Sequence, residues 1–197
     1  MTWVKVCGLS RAAEVEAAVA AGADAVGFVF YAPSPRNISP QEARALGTGA
    51  GIMTVAVTVD LDADMLLHLA DIAGVQAVQP HGDNAGRAAA AALDAGLAVL
   101  RPVPVTGPVD LTGISGAELP LLDSDSIGGT GVAFDWSWLA DVDRRFVLAG
   151  GLGPDNVAEA ISRVSPWGVD ASSGLESAPG VKDLAKVTAY VEKAKGR

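Results

Sequence analysis

Residues 22–28 read GADAVGF. A glycine that closes an alanine-rich segment of helical period, followed at once by small and β-branched residues, marks a helix stop that runs straight into a strand. The pattern recurs as GVQAVQP at 74–80 and PWGVDAS at 166–172, each after a helical segment. Outward from these echoes, the chain is a continuous alternation of short β-rich runs and helical segments. Strands are expected to begin near Trp3, Asp24, Ile52, Val75, Leu97, Leu119, Arg145 and Trp167, at spacings of 21 to 28 residues. Helices are expected over 11–21, 40–46, 62–72, 83–95, 135–141, 154–163 and 180–195. The remaining connection, TGPVDLTGISGAEL at 106–119, is too rich in Gly and Pro for a helix, so the fifth helix is degenerate.

Strand and helix in alternation imply parallel strands joined by right-handed crossovers, because a tight turn cannot link a parallel pair. Eight such units predict an α/β fold, a compact (β/α)8 TIM barrel. With 197 residues and 50% hydrophobic content the chain suits a single domain spanning 1–197 with brief loops. The competing architecture is an open doubly wound sheet, but no G-x-G-x-x-G follows the first strand, which disfavours its dinucleotide-binding version.

Composition narrows the function. A net charge of −9, from 14 Lys+Arg against 23 Asp+Glu, opposes attraction to a phosphate backbone and argues against nucleic acid. An anionic small molecule would need local donors, meaning helix-start amides or a placed arginine. One cysteine makes no internal disulfide, the N-terminus lacks a signal-peptide pattern, and no apolar run approaches the ~20 residues of a membrane span. A cytoplasmic protein without membrane partners is expected.

Barrel chemistry sits at the C-terminal ends of the strands. The polar residues there are Cys7 after the first strand, Arg36 after the second, His81 after the fourth, Asp123 after the sixth and Asp170 in the eighth. Singly each has a plain explanation: a lone cysteine is more often a core residue, and an aspartate at a strand end is more often a turn former. Together they converge on one rim. Cys7 precedes the first helix, whose dipole is expected to favour thiolate, and an Asp123 kept protonated opposite it would complete an acid/base pair. Lys5, two residues before Cys7, should share its side of the strand and pair with Asp170 or Asp123.

Two glycine-bearing segments, AGGLGPDNV at 149–157 and ASSGLES at 171–177, fall after the last two strands, the usual phosphate site of the fold. GGTG at 128–131 has the character of a flap. His68, inside a helical segment, and His81 match no Cys/His metal spacing, so no metal is expected. In FDWSWL, Asp135 is expected to cap a helix beside which Trp136 and Trp138 pack.

The motifs KVCGLS, GADAVGFVFYAPSPRNISP, VQPHG, LLDS, GGTGVAFDW, LAGGLGPDNV and GVDASSGLESAPGVKD, in this order and spacing, resemble those of the phosphoribosylanthranilate isomerase family of tryptophan biosynthesis over essentially the whole chain. The resemblance implies a cofactor-free Amadori rearrangement of a small phosphorylated substrate. It makes Cys7 the general base and Asp123 the general acid, and sets Arg36 on the anthranilate carboxylate. His81 and Asp170 line the pocket, Gly151, Leu152, Ser173 and Gly174 cradle the phosphate, and Gly128, Gly129 and Gly131 form the flap. Departures from the family pattern are Pro80 for leucine, TVD at 58–60 for Phe-Val-Asn, and Val132 for a flap lysine. The nearest enzymatic alternatives are the histidine-pathway aminoaldose isomerase and a dual-specificity enzyme; the alternative of another class is a non-catalytic phosphate-binding barrel. Monomer and homodimer are both compatible with the sequence.

Overall fold

A computed structural model describes residues 1–124 and 135–197. Eight parallel strands close into a barrel in chain order: β1 (Trp3–Cys7), β2 (Ala25–Phe30), β3 (Met53–Val59), β4 (Ala77–His81), β5 (Ala98–Pro104), β6 (Leu119–Asp123), β7 (Val147–Leu148) and β8 (Gly168–Ala171). Each begins within two residues of its expected start. The helices among the described residues are α1 (Ala12–Ala21), α2 (Pro40–Gly47), α3 (Ala63–Ala73), α4 (Ala85–Asp94), α5 (Val157–Val164) and α6 (Leu184–Ala194).

The glycine stops explain two of the three sequence echoes. Gly22 ends α1 at φ 93° and Gly74 ends α3 at φ 65°, the left-handed conformation that glycine adopts without a Cβ penalty. The third differs. Ser165, at φ 50°, ends α5, while Gly168 lies inside β8, where a Cβ would come within 2.8 Å of the Trp3 ring. Trp3 and Trp167 stack there with centroids 5.2 Å apart, at the N-terminal mouth of the barrel.

Of three other expectations, one holds and two are revised. Residues 106–118 form turns without a helix, as their composition predicts, and Arg144 fastens them by donating to the carbonyls of Ile114, Ser115 and Glu118. The helix expected over 135–141 is only a 3-10 turn, Trp136–Leu139, although Asp135 does cap it by accepting from the Ser137 amide at 2.9 Å. The helix expected from 180 starts at Leu184, because a hairpin comes first: β9 (Glu176–Ala178) paired antiparallel to β10 (Val181–Lys182). Gly180 turns it at φ 77°, and Asp183 caps α6.

Strand alternation sorts the side chains into two sets. Outward, Val4, Val6, Val26, Phe28, Val78 and Leu122 pack under the helices, and α4 meets them with Ala85, Ala88, Ala89 and Ala92, a stripe of helical period. Inward, Ala25, Val55, Ala77, Leu100, Leu121 and Val147 fill the lower barrel. Thr58 and Pro80 are outward positions of β3 and β4, so these departures from the family pattern face away from the barrel axis. Among the described residues no helix is long and apolar enough to cross a membrane.

Candidate active site

The C-terminal mouth of the barrel holds a cavity of about 210 Å³ walled by Cys7, Tyr31, Arg36, Gln79, His81, Asp123, Asp170 and Ser172, over apolar residues Val29, Val57 and Val59. All five rim residues expected from sequence therefore share one space. A smaller cavity of about 30 Å³ adjoins it and is lined by Gly151, Leu152, Ser173 and Gly174. The two have Asp123, Asp170 and Ser172 in common. Gly128, Gly129, Gly131 and Val132 lie outside the described residues.

Beneath the cavity lies a buried polar network. Lys5 is fully buried, and register across β1 and β8 sets it directly beside Asp170. Its ammonium donates to Asp170 Oδ2 at 2.8 Å and to Gln79 Oε1 at 2.9 Å. Of the two acids left open by the sequence, Asp170 is thus the partner. Ala25 and Gly27, opposite Lys5 and Cys7 on β2, supply the room, since a Cβ at Gly27 would lie 2.8 Å from Cys7 Sγ and 3.3 Å from Lys5 Nζ. Because the Gln79 oxygen accepts from Lys5, its amide nitrogen faces His81 Nε2 at 3.0 Å. His81 Nε2 is consequently placed to accept from it.

Charge within this network sets the two ionisations that matter. Burial works to lower the Lys5 ammonium, but the Asp170 carboxylate and then Cys7 outweigh it, and its pKa lies above the ordinary value. Burial pushes the Cys7 thiol up, Lys5 pulls it back and Asp170 adds to the rise, leaving it above the ordinary thiol value. This corrects the expectation of a thiolate favoured by the first helix. Gly8 to Arg11 intervene between Cys7 and α1, the Gly8 and Leu9 amides are taken by the Gly27 carbonyl, and the Glu14 carboxylate covers the Ser10 and Arg11 amides. The cation that serves Cys7 is Lys5.

Lys5→Met would leave the Asp170 carboxylate buried without its partner, a change that costs about 3–5 kcal/mol. An unfolding free energy lowered by that amount, read as a lower denaturant midpoint, is expected, and Lys5→Met combined with Asp170→Leu should recover most of it. An unchanged midpoint in the single variant would mean the pair is solvated.

The glycine loops interlock rather than merely turn. At Gly174 a Cβ would fall 2.2 Å from the Leu152 carbonyl oxygen, and at Gly153 one would fall 3.3 Å from the Gly174 oxygen. Gly150, at φ 82°, passes so close to Ser124 that a Cβ would lie 2.7 Å from its amide nitrogen. Ser173–Leu175 form a 3-10 turn, and the first amides of such a turn have no acceptor within it, which makes them donors for an anion. Gly174→Ala should force these loops apart, costing about 1–3 kcal/mol of stability. Inorganic phosphate should bind it more weakly than the wild type in calorimetry; equal binding would place the anion elsewhere.

Sequence reasoning missed Gln79, Glu176 and Lys182. Arg36 Nε and Nη2 donate to the two oxygens of Glu176 at 2.6 and 2.9 Å. Glu176 Oε1 also accepts from Lys182 Nζ at 2.8 Å, and Lys182 donates to the Ser172 carbonyl at 3.0 Å. Burial works to raise the Glu176 carboxyl, yet hydrogen bonds from Arg36 and Lys182 carry it below its usual range. Gln79 had a legible signal, since it stands two residues before His81 as Lys5 stands before Cys7.

Residues 4–193 match the family described as N-(5'-phosphoribosyl)anthranilate (PRA) isomerase. The chain is 41% identical over 203 residues to N-(5'-phosphoribosyl)anthranilate isomerase of Geotalea uraniireducens, covering 100% of both chains. Its fold matches phosphoribosyl anthranilate isomerase of Thermus thermophilus with a TM-score of 0.89 at 34% identity, covering 99% of each chain. It also matches, with a TM-score of 0.85 at 34% identity over 100% of both chains, a phosphoribosyl anthranilate isomerase in complex with reduced 1-(o-carboxyphenylamino)-1-deoxyribulose 5-phosphate.

Proposed function

The chain belongs to the N-(5'-phosphoribosyl)anthranilate isomerase family, and from that premise we propose that it carries out the Amadori rearrangement of N-(5-phosphoribosyl)anthranilate in tryptophan biosynthesis. The observation that carries the reading is the shared cavity: a candidate base, Cys7, and a candidate acid, Asp123, face one space that continues into a glycine-lined anion cradle.

The substrate phosphate sits against Gly151, Leu152, Ser173 and Gly174, and Arg36 takes the anthranilate carboxylate. Asp123 protonates the ribose ring oxygen, the C1–O bond breaks, and the nitrogen lone pair forms an iminium at C1. Cys7 removes the C2 proton to give an enolamine. Proton return to C1 and loss of the C2 hydroxyl proton yield the aminodeoxyribulose phosphate, an isomer of the substrate. His81 and Asp170 complete the pocket, with Asp170 holding Lys5 under Cys7.

Fluorescence decay of freshly prepared phosphoribosylanthranilate, run beside the histidine-pathway aminoaldose substrate, tests the proposal. Turnover of the first alone is expected. Turnover of the second alone would move the reading to the histidine pathway, and silence with both would leave a phosphate-binding barrel without catalysis.

A further inference from the structure

Resting on the carboxylate role proposed for Arg36, we infer that Glu176 and Lys182 are positioning residues that fix the Arg36 guanidinium and give the pocket its selectivity for a carboxylated substrate. Arg36 sits in the connection after β2, where its long side chain has no regular structure of its own to hold it. Glu176 arrives from β9, a hairpin inserted between β8 and α6, and engages Nε and Nη2 as a two-pronged fork. That fork fixes the guanidinium plane and leaves Nη1 and the second Nη2 hydrogen for a ligand.

The hairpin is itself locked against the arginine's loop. The Gly180 amide donates to Glu176 Oε2 at 3.2 Å, and a Cβ at Gly180 would lie 2.4 Å from the Pro35 carbonyl oxygen. Glu176 and Lys182 side chains are 6% and 0% exposed, so neither is a solvated surface charge.

Charge supplies the second half of the argument. Arg36 and Lys182 together carry two positive charges and Glu176 one negative, leaving one net positive charge at the edge of the cavity. Without Lys182, Arg36 and Glu176 cancel, and a carboxylate entering the pocket meets the remaining Arg36 donors with no net positive charge from this group behind them. Without Glu176 the charge is more positive but the guanidinium has lost its anchor. Plain electrostatics and positioning therefore predict opposite outcomes for Glu176→Ala: tighter anion binding in the first case, weaker in the second.

The test compares phosphoribosylanthranilate with N-(5-phosphoribosyl)aniline, which lacks the carboxylate, in the wild type, Arg36→Ala, Glu176→Ala, Glu176→Gln and Lys182→Met. Glu176→Ala and Lys182→Met are each expected to raise KM for the carboxylated substrate by ~10-fold or more, with kcat and the aniline KM nearly unchanged. Glu176→Gln, which keeps the shape and an acceptor, should fall between wild type and Glu176→Ala; it carries the comparison alone should the alanine variant fail to fold. Equal losses on both substrates, or a lowered KM for the carboxylated one in Glu176→Ala, would overturn the inference. A wild type and Arg36→Ala that treat the two substrates alike would instead remove the carboxylate role of Arg36 from which it starts.

Discussion

Cys7→Ala is expected to lower kcat by at least ~100-fold while leaving KM within a few-fold of wild type, since a general base acts in the transition state and contributes little to binding the ground state. Cys7→Ser should be similarly slow, because a hydroxyl is a far poorer base than a thiolate. The cost is chemical and not structural: Cys7 is a small side chain at the floor of the cavity, so its truncation should leave the fold intact by thermal melting. Near-normal turnover in either variant would remove Cys7 from the mechanism.

The pH profile carries a finer expectation. The proposed working form has Cys7 without its proton and Asp123 with one, which differs from thiol plus carboxylate only in where a single proton resides. The one-proton form of the pair is therefore what the pH profile of kcat/KM reports. Below its one-proton range both groups are protonated and the base is lost; above it both are deprotonated and the acid is lost. Burial raises the Cys7 thiol against the pull of Lys5, so the alkaline fall should come above the ordinary thiol range. Removing the cation in Lys5→Met makes the thiolate harder to form. The plateau of kcat/KM should then drop and the alkaline limb move further up; a downward shift would contradict Lys5 as the cation serving Cys7.

Asp123→Asn should likewise lower kcat by at least ~100-fold, since an amide cannot donate the proton proposed to open the ribose ring. Asp123 borders both cavities, between the anion cradle and the space containing Cys7, where the proposed ring oxygen would lie. A substrate analogue already in the open-chain form separates this step from the next: Asp123→Asn should process it far better than the cyclic substrate, whereas Cys7→Ala should process neither. If both forms are equally slow in Asp123→Asn, its role is not ring opening.

Much of this is legible in the sequence alone, for a definite reason. Helical period, β-branched runs and the glycine stops at 22 and 74 are local signals, and eight repeats of them leave few topologies. The barrel rule then sends polar residues at strand ends to a common rim, which is how Cys7, His81 and Asp123 were found without neighbours in sequence. The PWGVDAS echo misled because Gly168 serves the close approach of Trp3 instead of a helix end. The residues before α6 misled because ESAPGVK spells a short hairpin whose turn hinges on Gly180.

By itself, then, the amino-acid sequence determined the alternating units, the barrel they close into, the rim residues and the family. Tertiary structure alone decided the partners. Whether Lys5 meets Asp170 or Asp123 depends on the register of β1 against β8, 165 residues away along the chain. That Arg36 is gripped by Glu176, 140 residues on, depends on a hairpin folded against a distant loop. Local patterns state which face a side chain occupies; closing the barrel states which charge it finds there, and in a buried site that partner decides which protonation state is stable.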